Sequence, residues 1–143
     1  MKKLRVGILF GGKSTEHEVS LQSAKNVIAH LDPEKFESVL LLLNKEGEGV
    51  VTEKSIVELR QIVDVIFPVL HGGSGEDGTM QGLLKLSGIP FVGAGVLGSA
   101  IGMDKDVMKR LLRDAGIAVA NFITVREKMT PSYDTVVDAL GVP

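Results

Sequence analysis

The sequence predicts an α/β fold: a three-layer sandwich around a mostly parallel sheet. Three observations carry that expectation. Short apolar runs alternate along the chain with stretches of helical periodicity. Those runs are almost continuously apolar, as strands covered on both faces are. The segments after two of them hold glycines, histidines and carboxylates, at strand ends where open α/β sheets bind ligands.

Residues 4–10 (L-R-V-G-I-L-F) are apolar except for Arg5 and predict the first strand. After Gly11-Gly12, Ser14 is placed to cap a helix, with Thr15, Glu16 and Glu18 in its first turn. Val19, Ala24, Val27, Ile28 and Leu31 recur at helical spacing until Asp32-Pro33 ends the run. Residues 36–43 predict a second strand, 44–52 a polar connection and 53–61 a short helix. Residues 63–70 (V-D-V-I-F-P-V-L) predict a third strand with Pro68 near its end. Thr79 is expected to cap a helix to about Leu86, closed by Ser87-Gly88. Residues 91–92 read as a brief strand and 93–102 as a glycine- and alanine-rich turn. A helix is expected over 104–115 with Gly116 at its end, then a strand over 121–125 and a last helix over 134–140.

Composition narrows the function classes. At 143 residues the chain is one domain, or one domain and the start of another. With no cysteine there is no disulfide, thiolate metal site or thiol nucleophile. Sixteen basic and eighteen acidic residues are interspersed, for a formal charge of −2, so neither nucleic acid nor a membrane surface is an expected partner. The start, M-K-K before a strand-like run, lacks the pattern of a signal peptide, and the aliphatic run at 39–43 is too short to span a bilayer. A cytoplasmic protein is expected.

Two blocks carry the chemistry. In the first, F-G-G-K-S-T-E-H-E-V-S at residues 10–20, two glycines let a ligand approach a helix N-terminus. The spacing is neither that of a P-loop nor G-x-G-x-x-G. Glu16 could face the strand ends and hold a cationic group such as an ammonium; alternatively Glu16 and Glu18 only complement the helix dipole. The second block, H-G-G-S-G-E-D-G at residues 71–78, packs four glycines, a histidine and two acids into eight residues. Ordering such a loop is entropically expensive, which favours a ligand-orienting role over a plain turn. Three histidines in all, with His30 on a different helix, make a metal site a poor reading, and Ser74 has no base–orienter set.

Together with G-I-P-F-V-G-A-G-V-L-G-S-A and M-D-K-D-V-M-K-R-L-L, these blocks resemble the amino-terminal region of D-alanine–D-alanine ligases, of the ATP-grasp superfamily. The resemblance runs through four ordered blocks and most of the chain. It implies a Rossmann-like pre-ATP-grasp domain over residues 1–95, followed over 96–143 by a linker helix and the truncated start of a central ATP-grasp domain. It also implies a reaction. ATP and magnesium, or manganese in its place, serve to phosphorylate the carboxylate of one D-alanine. The amine of a second D-alanine then attacks that acyl phosphate, giving the dipeptide used in peptidoglycan. By position, Glu16 matches the acid that holds the first ammonium and is the catalytic candidate. Val19 matches a neighbour lining the pocket, and His71 the histidine near the first carboxylate. Glu76 matches a supporting acid, and Lys105 a lysine reaching toward the nucleotide phosphates. A homodimer through this domain is implied as well.

Two departures qualify the match. The connection at 44–62 is shorter than is usual in the family. The chain also ends before the family's nucleotide-clamping strands and magnesium carboxylates, so on this reading no metal ligand lies in it and the 143 residues alone are inactive, either a fragment or a piece that pairs with the remainder. Two alternatives stand beside the ligase: a non-catalytic association module, and the equivalent domain of another ATP-grasp ligase such as a biotin carboxylase.

Overall fold

A computed structural model describes residues 2–49 and 56–141. Residues group into two compact units, 1–103 and 104–143, each described by itself.

The first unit is built on a parallel sheet of three strands in the order β2-β1-β3. β1 is Leu4–Gly11, β2 is Phe36–Leu43 and β3 is Val65–Pro68. β1 pairs β2 from Leu4 opposite Phe36 to Gly11 opposite Leu43, and pairs β3 from Val6 opposite Val65 to Leu9 opposite Pro68. The third strand is thus shorter than the apolar run at 63–70, because Val63 turns into the core and Val69 gives only its N–H to the Leu9 carbonyl. Phe91 makes a single parallel bridge to Ile66, so residues 91–92 touch the open edge of β3 without extending it as a strand.

Both faces of the sheet are covered along β1, whose residues therefore lack alternation, whereas the edge strand β2 buries Leu41 and Leu43 and leaves Leu40 and Leu42 exposed. On one face α1 (His17–His30) packs Ala24, Val27, Ile28 and Leu31 onto Val6, Ile8 and Phe67. On the other, α2 (Ile56–Ile62) and α4 (Thr79–Ser87) bring Leu59, Met80 and Leu84 onto Leu9, Leu41 and Ile66. The expected helix at 53–61 is therefore present from Ile56, and its first three residues lie outside the described residues. Arg60 Nε donates to the Ser87 carbonyl at 3.1 Å, joining the ends of these two helices. At the amino ends of β1 and β3, Arg5 and Asp64 are paired twice over. The Arg5 guanidinium and N–H both donate to the Asp64 carboxylate, which they hold down to about pKa 2, and Asp64 N–H returns to the Arg5 carbonyl.

Three further local expectations in this unit are corrected. Ser14 does not cap α1, which starts two residues later with Glu16 at the cap position; Ser14 Oγ instead accepts the Glu16 N–H. Thr79 is the first residue of α4 and not its cap. Gly78 occupies that position, and the Asp77 carboxylate accepts the Thr79 N–H. The stretch at 93–102 is not a turn throughout, since Val96–Met103 forms helix α5, packed against α4 and the short α3 (Gly73–Glu76). Glycine disfavours helix by roughly 1 kcal/mol relative to alanine, so the two glycines within α5 had pointed to a turn.

The second unit contains α6 (Lys105–Asp114) and α7 (Tyr133–Leu140). Residues 121–125 form no strand, because no partner strand is present among the described residues. Asp106 fastens the extended segment to α6 instead, accepting from Arg110 Nε at 2.7 Å and from the Thr124 hydroxyl at 2.6 Å. Those two donors hold its carboxyl below the usual carboxylate range. Lys109 adds a contact over the Phe122 ring, 5.0 Å from its centroid. The Asp104 side chain caps α6 by accepting the N–H groups of Asp106 and Val107.

Candidate functional site

The parallel register brings the carboxyl ends of β1 and β3 side by side, so the two glycine- and histidine-containing blocks meet above the sheet. Ser20, fully buried on α1, holds them there: its hydroxyl accepts the Gly11 N–H at 2.8 Å and donates to the Val69 carbonyl at 2.7 Å. One side chain thereby ties the helix start to both strand ends.

Gly72 lies at the meeting point. Its φ of +70° with ψ near 180° is a conformation that glycine alone adopts readily. A Cβ there would stand 2.6 Å from Ser14 Oγ and 3.1 Å from Glu16 Oε2, so the Glu16 carboxylate sits directly against the second loop. On the same loop Glu76 accepts the Gly72 N–H at 3.0 Å through one oxygen, and its other oxygen stands 3.8 Å from His71 Nδ1. The opposite ring nitrogen, Nε2, is 3.1 Å from Ser23 Oγ. Glu16, Val19 and Ser23 fall at i, i+3 and i+7 of α1 and share one face of it. Val19 is 53% exposed, an apolar wall beside the acid.

A cleft of about 340 Å³ opens beside this cluster, lined by Gly12, Lys13 and Ser14 of the first block, by residues 71–75 of the second, and by Leu43, Leu70 and Met80. A carboxylate and an imidazole on neighbouring loops suit a ligand bearing both a cation and an anion. Below the loop Gln81 is 7% exposed; its Nε2 donates to the Gly75 carbonyl, and its Oε1 has no partner among the described residues. Among the described residues no group of three or more His, Asp or Glu side chains converges as a metal would require. No helix among them is long and apolar enough to cross a membrane.

The structure thus brings Glu16, His71 and Glu76 together, with Val19 on the adjoining face. Lys105 lies in the other unit, exposed in the first turn of α6. Glu18, the other acid of the first block, points away and pairs on the surface with Lys45 at 3.4 Å. The sequence reading missed Ser20, Ser23 and Gln81. Ser20 closed the first block, where a serine amid apolar helix positions was a usable signal. Ser23 and Gln81 carried none, since their partners lie on another segment or depend on burial.

The description "D-ala D-ala ligase N-terminus" belongs to the family model that matches residues 5–62 and 50–94. The D-alanine–D-alanine ligase A of Escherichia coli K12 is 44% identical over 181 positions, covering all of this chain and half of the relative. Against 143 residues, 181 positions leave at least 38 without a counterpart here. The two family matches overlap at residues 50–62, in the segment between β2 and β3. Among solved structures, the D-alanine–D-alanine ligase of Coxiella burnetii superposes with a TM-score of 0.82 at 32% identity, covering 96% of this chain and 49% of that one. The Bacillus anthracis D-alanine–D-alanine ligase complexed with ATP gives a TM-score of 0.75 at 35% identity, covering 94% and 44%. The chain therefore spans about half the length of the relatives it matches. From these matches and the joined blocks at its strand ends, the chain belongs to the D-alanine–D-alanine ligase family, whose amino-terminal region it represents.

Proposed function

We propose that this chain forms the first-substrate side of an ATP-dependent D-alanine–D-alanine ligase acting in peptidoglycan synthesis. The observation that carries the reading is the seating of Glu16 against the His71 loop at Gly72. D-Alanine is a zwitterion, and the site offers an acid for its ammonium and an imidazole for its carboxylate, with Val19 against its methyl group. Glu76 supports the loop through the Gly72 N–H. Lys105 supplies positive charge for the phosphates of ATP, which the solved Bacillus anthracis relative binds. When bound, ATP supplies the phosphoryl group that activates the first carboxylate for attack by the second amine. Among the described residues no carboxylate cluster fits a magnesium site. On this reading residues 1–95 are the substrate-side domain and 96–143 lead into the nucleotide-binding domain, in a cytoplasmic homodimer.

The test is a pair of isosteric substitutions in a full-length ligase carrying this half. Glu16→Gln keeps shape but removes the charge. A charged hydrogen bond is worth about 1.5–3 kcal/mol, so kcat/KM for the first D-alanine should fall at least about tenfold. Glu18→Gln breaks only an exposed pair and should leave kinetics within about twofold. Equal, small effects of both would reduce Glu16 to a helix-dipole partner.

A further inference from the structure

We propose that Ser23 is a positioning residue of this site, holding the His71 imidazole so that the neutral ring carries its hydrogen on Nδ1. The proposal rests on the reading of His71 as the group that meets the substrate carboxylate.

His71 follows β3 and is succeeded by two glycines, so its own segment does little to fix the ring. Two contacts from elsewhere do. Glu76, held through the Gly72 N–H, faces Nδ1 at 3.8 Å, while Ser23 Oγ lies 3.1 Å from Nε2. A carboxylate has no hydrogen to offer, so the nitrogen facing it is the one that carries a hydrogen. Nε2 of the neutral ring is then an acceptor, and the Ser23 hydroxyl can donate to it.

The distances add a consequence. At 3.8 Å the Glu76 oxygen attracts the hydrogen to Nδ1 without taking it in a hydrogen bond. That N–H is left for a ligand's carboxylate, on a ring whose other edge Ser23 has occupied. Ser23 itself is carried by a helix that Ser20 fastens to both strand ends, so its hydroxyl is presented from a rigid element.

The test uses the 143-residue chain and long-range ¹H–¹⁵N spectra of its three histidines. His17 and His30 are internal references, each with Nδ1 2.8 Å from a backbone carbonyl. The neutral His71 ring should be mainly the Nδ1–H form. Ser23→Ala should lower that share at least about twofold without disturbing the two reference rings, and Ser23→Thr, which keeps a hydroxyl, should restore it. A ring that is mainly Nε2–H in the unaltered chain would overturn the proposal, and that spectrum needs no variant to fold. So would a His71 signal indifferent to Ser23→Ala. No substrate enters this measurement, so it stands whether or not the ligase reading does. In the full-length ligase, Ser23→Ala should raise KM for D-alanine about three- to tenfold with kcat within about twofold. A changed tautomer beside an unchanged KM would count against the substrate role of His71 and leave Ser23's hold on the ring intact.

Discussion

Replacing Gly72 with alanine strikes the point where the two loops meet. The residue stands at φ +70°, ψ near 180°, where a side chain costs about 1–3 kcal/mol of backbone strain. The new Cβ would also lie 2.6 Å from Ser14 Oγ, so Ser14 must rotate and surrender the Glu16 N–H it accepts at 3.1 Å, a further 0.5–1.5 kcal/mol, roughly. Together these give about 1.5–4.5 kcal/mol, or a melting temperature lower by about 6–18 °C at about 4 °C per kcal/mol for a chain of this size. Glu16 Oε2, only 3.1 Å from the added carbon, is displaced as well. In a full-length ligase kcat/KM for the first D-alanine should then drop at least about tenfold. Gly73→Ala is the control, because a Cβ there meets nothing within 4 Å and its φ is not positive. It should move the melting temperature by less than about 2 °C. Thermal denaturation of the two variants beside the parent decides the matter. If both melt within about 2 °C of each other, the close approach of the Glu16 turn to the His71 loop is not a feature of the folded protein.

Three other outcomes are expected. Lys105→Ala in a full-length ligase should raise KM for ATP about ten- to a hundredfold, the loss of one charge-assisted contact of about 1.5–3 kcal/mol, with KM for D-alanine unmoved; the reverse pattern would remove Lys105 from the nucleotide. The 143-residue chain alone, half the length of its relatives, should release no D-alanine-dependent phosphate from ATP, and release above background would refute this. Asp64 titrates near pH 2 when folded, below its ordinary 3.8, because Arg5 donates to its carboxylate. The folded chain therefore binds fewer protons there, so the stability that this pair contributes is complete above about pH 4 and lost as pH falls towards 2. Asp64→Asn should be less stable than the parent at neutral pH, with the gap closing through that window in urea unfolding; a gap of constant size would refute the linkage.

The layered α/β plan and the place of the site were legible in local pattern alone. An almost continuous apolar run such as 4–10 must be buried on both faces, and helical periodicity after it supplies a covering layer, so type and order follow from local pattern, whereas 36–43 buries only alternate leucines at its carboxyl end. Glycine, histidine and acids at the two strand ends were legible for a similar reason, being residues that a merely structural turn does not need. What depends on pairing or burial was not legible. Residues 121–125 have strand-like composition but pair with no strand among the described residues, and a strand exists only through its partner's hydrogen bonds. Val96–Met103 became a helix although two glycines interrupt it and none of its residues is buried, which no local pattern announced. His71 and Ser23 are 48 residues apart, and no spacing rule connects them. Only the parallel register of β1 with β3, and the seating of α1 across both, brought a hydroxyl to one edge of the ring and left the other for a ligand.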